Sequence, residues 1–162
     1  MLRFDHMPSD FHPLFLFLGE NADLDELARV LREFAEDPMD IDLRRSLPAA
    51  GGRSQVALVP GEGLDAPYGM RHTAEHDRFA WVLNAWQAGQ IATRIEMLAS
   101  TEAEAGNDIL ELGVADEIPV KVSKGEFTDN FLTPGHHLDP DYRTDAADPP
   151  GLPSGGDNST PT

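Results

Sequence analysis

The chain contains no cysteine, and this absence limits what its 162 residues can fold into. It excludes disulfides, thiolate catalysis and cysteine-ligated zinc or iron–sulfur sites, so the fold must be stable without these cross-links. A chain of about 150 residues buries roughly 68–70% of its unfolded surface, which is enough for one domain. We expect a single α+β domain over residues 1–133. Residues 134–162 are acidic and rich in proline and glycine, which predicts a disordered tail.

The first residues do not have the pattern of a targeting segment. Their best apolar run, Leu14 to Leu18, is far shorter than a membrane span of ~20 residues, and shorter than the ~7–15 apolar residues of a signal peptide. We therefore expect a cytoplasmic protein with no membrane partner. Arginine outnumbers lysine by ten to two, which suggests a bacterial source.

Acidic residues are spread along the whole chain and give a formal net charge of −17. Residues 20–42 hold nine carboxylates against Arg29 and Arg32, and no basic stripe occurs anywhere. A phosphate backbone needs such a stripe, so direct binding to nucleic acid is not expected, nor is binding to an anionic membrane. Two interpretations stay open: the acidity serves only solubility, or it forms a surface that docks on a basic protein partner.

Three segments in the first 60 residues have clear periodicity. His12 to Leu18 is short and apolar on both faces, which predicts a buried strand. Asn21 to Asp37 has apolar residues at helical spacing and an approximate capping box of Asp23 with Glu26. Ser54 to Val59 predicts a second strand.

The segment from Thr73 to Ala99 fits two secondary-structure assignments. The apolar face of a helix starting at Thr73 loses its phase after Gly89, and glycine is common just past a helix end. We therefore predict a helix up to Ala88 and a strand over residues 90–99. The alternative is a helix that continues through the glycine.

Two more strands are predicted at Asp108 to Val114 and Glu117 to Ser123, joined as a hairpin by a two-residue turn. Pro119 and Lys121 place the last strand at a sheet edge. The predicted order is βαβαβββ, that is, a five-stranded mixed or antiparallel sheet with two helices on one face. No internal repeat is detected.

His72 and His76 are weak candidates for a metal site, because residues four apart on a helix can share a metal. The zinc-protease pattern needs glutamate directly after the first histidine, where this chain has Thr73. The alternative interpretation involves no metal: the segment is the exposed start of a helix, with Thr73 as its N-cap. We expect no bound metal, no cofactor and no catalytic residue that the sequence can select.

Trp81 and Trp86 are five residues apart, so on a helix they would point to different faces. Trp86 continues the apolar stripe and is expected in the core, and Trp81 is expected as a lid or as an exposed anchor.

The predicted function is docking on a basic partner in an inhibitor, immunity-type or nucleic-acid-mimic role. Its predicted contact residues are Trp81 with Asp25, Glu33 and Glu36 of the first helix. The alternative is an enzyme that uses scattered carboxylates and the His72/His76 pair. Oligomeric state stays open.

Overall fold

The computed structural model describes residues 1–8 and 12–125. The predicted tail and the predicted boundary at residue 133 lie outside these residues. The described part is α+β, as predicted, with three helices. In chain order, its elements are β1 (Arg3–Met7), β2 (Leu14–Leu18), α1 (Asn21–Glu36), β3 (Ile41–Asp42), α2 (Leu43–Ser46), β4 (Gln55–Pro60), β5 (Gly69–His72), β6 (Arg78–Leu83), α3 (Ala85–Ser100), β7 (Gly106–Leu110) and β8 (Val120–Lys124).

The strands form two four-stranded mixed sheets, so the prediction of one five-stranded sheet with two helices, in the order βαβαβββ, is wrong. Sheet A has the order β1-β2-β8-β7, and sheet B has the order β5-β6-β4-β3. In both sheets the central pair of strands is parallel and each outer pair is antiparallel. The central partners lie far apart in the chain, and local periodicity does not specify which distant strands pair.

The predictions for β2, α1 and β4 are confirmed to within one or two residues. Helix α1 buries the predicted apolar stripe, including Leu24, Leu27 and Phe34. Its capping box is formed by Glu20 and Asp23, one turn earlier than predicted. Strand β1 was not predicted.

The prediction for residues 73–99 is wrong in both parts. Residues 78–83 form β6, in which Phe79, Trp81 and Leu83 are buried with the alternation of a strand. Helix α3 then begins at Ala85 and continues through Gly89 to Ser100. Its start is fixed by a capping box, in which the Asn84 side chain accepts a hydrogen bond from the Gln87 backbone N–H at 2.8 Å and the Gln87 side chain accepts one from the Asn84 N–H.

The last two predicted strands pair antiparallel, but the two-residue turn between them is wrong. Residues 111–119 connect β7 to β8, and the Glu117 carboxylate holds this connection by accepting hydrogen bonds from three backbone N–H groups. Strand β8 is central rather than at an edge, because it pairs with both β2 and β7. Pro119 lies just before the strand, where its missing N–H costs no ladder bond.

The fold contains an internal duplication that the sequence does not reveal. Apart from the short helix α2, which only the first half contains, each half runs strand–strand–helix–strand–strand: β1, β2, α1, β3 and β4, then β5, β6, α3, β7 and β8. Phe15 pairs with Val120 in sheet A and Phe79 pairs with Val56 in sheet B. Both correspondences have the same offset, since 79 − 15 and 120 − 56 are each 64. Each sheet contains one antiparallel strand pair from each half. Sheet A combines β1 and β2 with β7 and β8, and sheet B combines β3 and β4 with β5 and β6.

Equivalent residues of the two halves contact each other near the middle of the molecule. At the offset of 64, the contacts are Phe15 with Phe79 (ring centroids 5.1 Å apart), Phe17 with Trp81 (5.6 Å) and Arg32 with Glu96 (N–O distance 2.8 Å). His6 and His72 are equivalent through their strand partners, Phe15 and Phe79, and their ring centroids are 6.2 Å apart. A residue that contacts its own equivalent lies close to a twofold axis. The described chain therefore has an approximate internal twofold axis, with the aromatic core and the α1–α3 contact along it.

One continuous core joins both sheets and both long helices. No helix among the described residues is long and apolar enough to cross a bilayer.

Candidate docking surface

The three acidic residues predicted as contacts are all exposed on α1. Asp25, Glu33 and Glu36 lie on the outward side of the helix, away from its buried stripe. Glu33 accepts a hydrogen bond from Arg29, which also binds Glu26. One arginine therefore serves two carboxylates, and the outward side of α1 keeps a net negative charge.

The two tryptophans have exchanged the positions predicted for them. Trp81 is 1% exposed and stacks on Phe17 in the core, so it is neither a lid nor a docking residue. Trp86 is 73% exposed in the first turn of α3. The reason is that Trp81 lies on the core face of strand β6, whereas α3 begins only at Ala85 and Trp86 lies in its exposed first turn.

An ion pair joins the outward sides of α1 and α3. The Arg32 guanidinium donates to both carboxylate oxygens of Glu96, at 3.0 and 2.8 Å, and to the Thr93 hydroxyl at 2.8 Å. The hydrogen bonds from Arg32 lower the pKa of Glu96, and those to Glu96 raise the pKa of Arg32. Both side chains are 43% exposed, so the contact lies at the surface.

Helical spacing places further residues on the side of α1 that carries Arg32 and on the side of α3 that carries Glu96. Residues three or four apart on a helix lie on one side. The outward α1–α3 seam is therefore lined by Asp25, Arg29, Arg32 and Glu36 of α1, and by Trp86, Gly89, Thr93 and Glu96 of α3. Glu33, which is bound to the seam residue Arg29, borders the same surface. Exposed carboxylates and an exposed tryptophan therefore lie along this surface.

Gly89 leaves a notch in this seam. A β-carbon built on it would meet only the Arg32 Nη1 atom, at 3.9 Å, among the described residues. Gly89 lies within α3 and does not have a positive φ. Alanine would fit, and glycine inside a helix costs roughly 0.5–1 kcal/mol relative to alanine. Neither packing nor backbone geometry in the described chain requires this glycine.

The outward faces of the two equivalent helices differ in chemistry. Four positions of α1 correspond, at the offset of 64, to four of α3: Ala22, Glu26, Arg29 and Glu33 to Trp86, Gln90, Thr93 and Met97. Every charged residue of the α1 set is replaced by an uncharged one on α3. Trp86 and Met97 are 73% and 64% exposed, so this replacement does not extend the core.

The His72/His76 pair does not form the predicted helical site. His72 ends β5 and stacks on Phe79, and His76 lies in the following turn, beside Asp77 at 3.4 Å. Among the described residues, no group of three or more histidine and carboxylate side chains is placed to hold a metal ion. The helix prediction failed here because the segment turns between two strands.

A shallow hollow of about 420 Å³ lies on the outward face of sheet B. Ala57 and Ala80 are among its lining residues, with Arg45 and Arg78 also at its border. Arg78 is paired with Glu75 at 3.0 Å. None of the residues predicted for docking or metal binding lies in this hollow.

Comparison of the chain with protein families, curated proteins and solved structures gives no match.

Proposed function

We propose that this chain is a cytoplasmic binding protein that docks on a basic protein partner through the α1–α3 seam. The observation that carries the proposal is an exposed tryptophan, Trp86 of α3, on a helix that is ion-paired to α1, where Asp25 and Glu36 are exposed as well. The predicted acidic contacts are retained, and Trp86 replaces Trp81 as the anchor. An inhibitor, immunity-type or nucleic-acid-mimic role would use such a surface directly.

The two helices contribute different interactions to this docking. The outward carboxylates of α1 attract and orient a basic partner, an effect that acts mainly on the association rate. They contribute little apolar area, because the apolar stripe of α1 is buried in the core. Trp86 supplies that area, since exposed tryptophans that become desolvated are the commonest interface hot spots.

The alternative enzyme hypothesis has no specific observation in its favour among the described residues. His72 and His76 lie on different elements, and the hollow on sheet B contains no histidine.

The proposal is tested by quantitative pull-down from host cells, read by mass spectrometry. We expect a stoichiometric basic protein that is retained at about 0.05 M salt and lost at about 0.5 M, because exposed charges are screened over ~10 Å at 0.1 M. The variant Glu33→Lys with Glu36→Lys should lose it at low salt.

The control variant is Glu102→Lys with Glu104→Lys, which makes the same change in net charge at exposed positions beyond the end of α3. It should retain the partner. If both double variants lose the partner equally, total charge rather than the seam governs binding, and the proposal is wrong. Retention that does not depend on salt also contradicts it.

A further inference from the structure

The notch at Gly89 is a second observation on the seam, independent of charge. Nothing described in the chain needs the glycine, and alanine would make a more stable helix at the same position. A glycine inside a helix, at a position where alanine would fit, is explained when another backbone approaches closely. Because the notch lies one turn from Trp86, the approaching backbone would reach the proposed anchor as well.

The internal duplication supplies a comparison that shows what is particular to α3. The position equivalent to Gly89 on α1 is Asp25, an exposed residue with a side chain. The position equivalent to Trp86 is Ala22, and the one equivalent to Met97 is Glu33. If exposed faces served solubility alone, both helices would be expected to be charged. Only α3 combines a notch with exposed apolar side chains.

We infer that the partner contributes an amphipathic helix with a basic flank, which lies along α3 with its backbone over Gly89. This inference rests on the proposed function and specifies its partner. Trp86 and Met97 are 11 residues apart, so they lie on one side of α3 and roughly 16 Å apart along its axis. Uncharged Gln90 and Thr93 lie between them.

A helix matches this stripe better than an extended segment does. A partner helix that runs along α3 presents apolar residues at the same spacing and packs side chains into the intervening groove. Its closest approach falls where α3 has no side chain, which is Gly89. Its basic flank then faces Asp25 and Glu36, the carboxylates of α1 that border the seam.

The test uses two synthetic peptides of about 18 leucine and lysine residues. One is patterned as an amphipathic helix, and the other is a scramble of the same composition. Binding to the full chain is measured by fluorescence anisotropy of labelled peptide at low and high salt. We expect the patterned peptide to bind more tightly than the scramble. Gly89→Ala should weaken its binding about tenfold, and Trp86→Ala about tenfold or more.

Gly89→Ala gives a result that misfolding cannot imitate. It should raise the melting temperature by about 2–4 °C while it weakens binding, because alanine favours the helix but fills the notch. Ala103→Ser, at an exposed position beyond the end of α3, is the control and should leave binding unchanged.

The outcomes separate this inference from the proposed function. If Gly89→Ala binds the patterned peptide as tightly as the wild type, no backbone lies over the notch and the inference is overturned. Equal affinity for both peptides, with strong salt dependence, also overturns the inference of an amphipathic helix. That result remains compatible with the proposed docking on a basic partner. Failure of both peptides to bind at low salt contradicts the inference and the proposed function together.

Discussion

Phe17 and Trp81 stack with their ring centroids 5.6 Å apart and their planes inclined by 24°, although they belong to different sheets. They are equivalent residues of the two halves. The pair therefore joins sheet A to sheet B at the internal axis, in the most buried part of the core. Because Trp81 packs between the two sheets at this axis, it is the buried one of the two tryptophans, at 1% exposed.

The two tryptophans should respond in opposite ways to truncation. Trp81→Ala should lower the free energy of unfolding by about 3–5 kcal/mol, because it leaves a cavity between the sheets. Trp86→Ala should change it by less than about 0.5 kcal/mol, since the side chain is exposed. Urea denaturation of both variants measures the two values. A large loss of stability for Trp86→Ala would show that this residue belongs to the core.

Reversing the ion pair on the axis should be tolerated. Arg32→Glu alone places two glutamates against each other and should lower the melting temperature. Adding Glu96→Arg restores opposite charges at equivalent positions, so the double variant should recover most of the loss. Thermal unfolding of the wild type, both single variants and the double variant forms the cycle. No recovery in the double variant would contradict an approximate twofold relation at this contact.

His6 should make stability depend on pH. Burial, and next the nearby His72, lower the pKa of His6, against the opposing effects of Asp5 and Asp77. Its Nε2 atom is buried and has no hydrogen-bond partner in the structure. A lowered folded-state pKa means that the unfolded chain binds the proton more readily, so this contribution is complete above the unfolded pKa of 6.5. It is lost as the pH falls from 6.5 through the lower folded-state value.

Urea midpoints at about pH 7.5 and about pH 5 measure this effect. The wild type should be less stable at the lower pH. His6→Phe keeps a ring beside Phe79 but cannot take up a proton, so its decrease should be smaller. An identical decrease in both proteins would assign the pH dependence to other groups.

Part of this fold follows from local pattern alone. Segments such as β2 and α1 were predictable because their periodicity has one interpretation. Residues 78–100 were not, because Phe79, Val82, Leu83 and Trp86 fit a helical face as well as a buried strand followed by a helix turn. The capping pair Asn84 and Gln87 was the signal that could have located the true helix start.

The duplication and the site were hidden for a different reason. Over residues 14–36 and 78–100, the two halves are identical at only three of 23 positions: Phe15 with Phe79, Ala28 with Ala92 and Ala35 with Ala99. The two halves therefore share their order of strands and helices and their strand pairing, but almost none of their amino acids. The exposed acidic residues of α1 followed from its periodicity, whereas the exposure of Trp86 depended on where α3 begins.

Association kinetics with the partner recovered from host cells test the central claim most directly. Surface plasmon resonance on the wild type, Trp86→Ala and Glu33→Lys with Glu36→Lys separates the two rates. The seam predicts that Trp86→Ala raises the off-rate by roughly tenfold or more with little change in on-rate. The charge reversal should lower the on-rate several-fold, and raising the salt concentration should reproduce that decrease. Unchanged rates for both variants, or an on-rate indifferent to salt, would contradict docking through the α1–α3 seam.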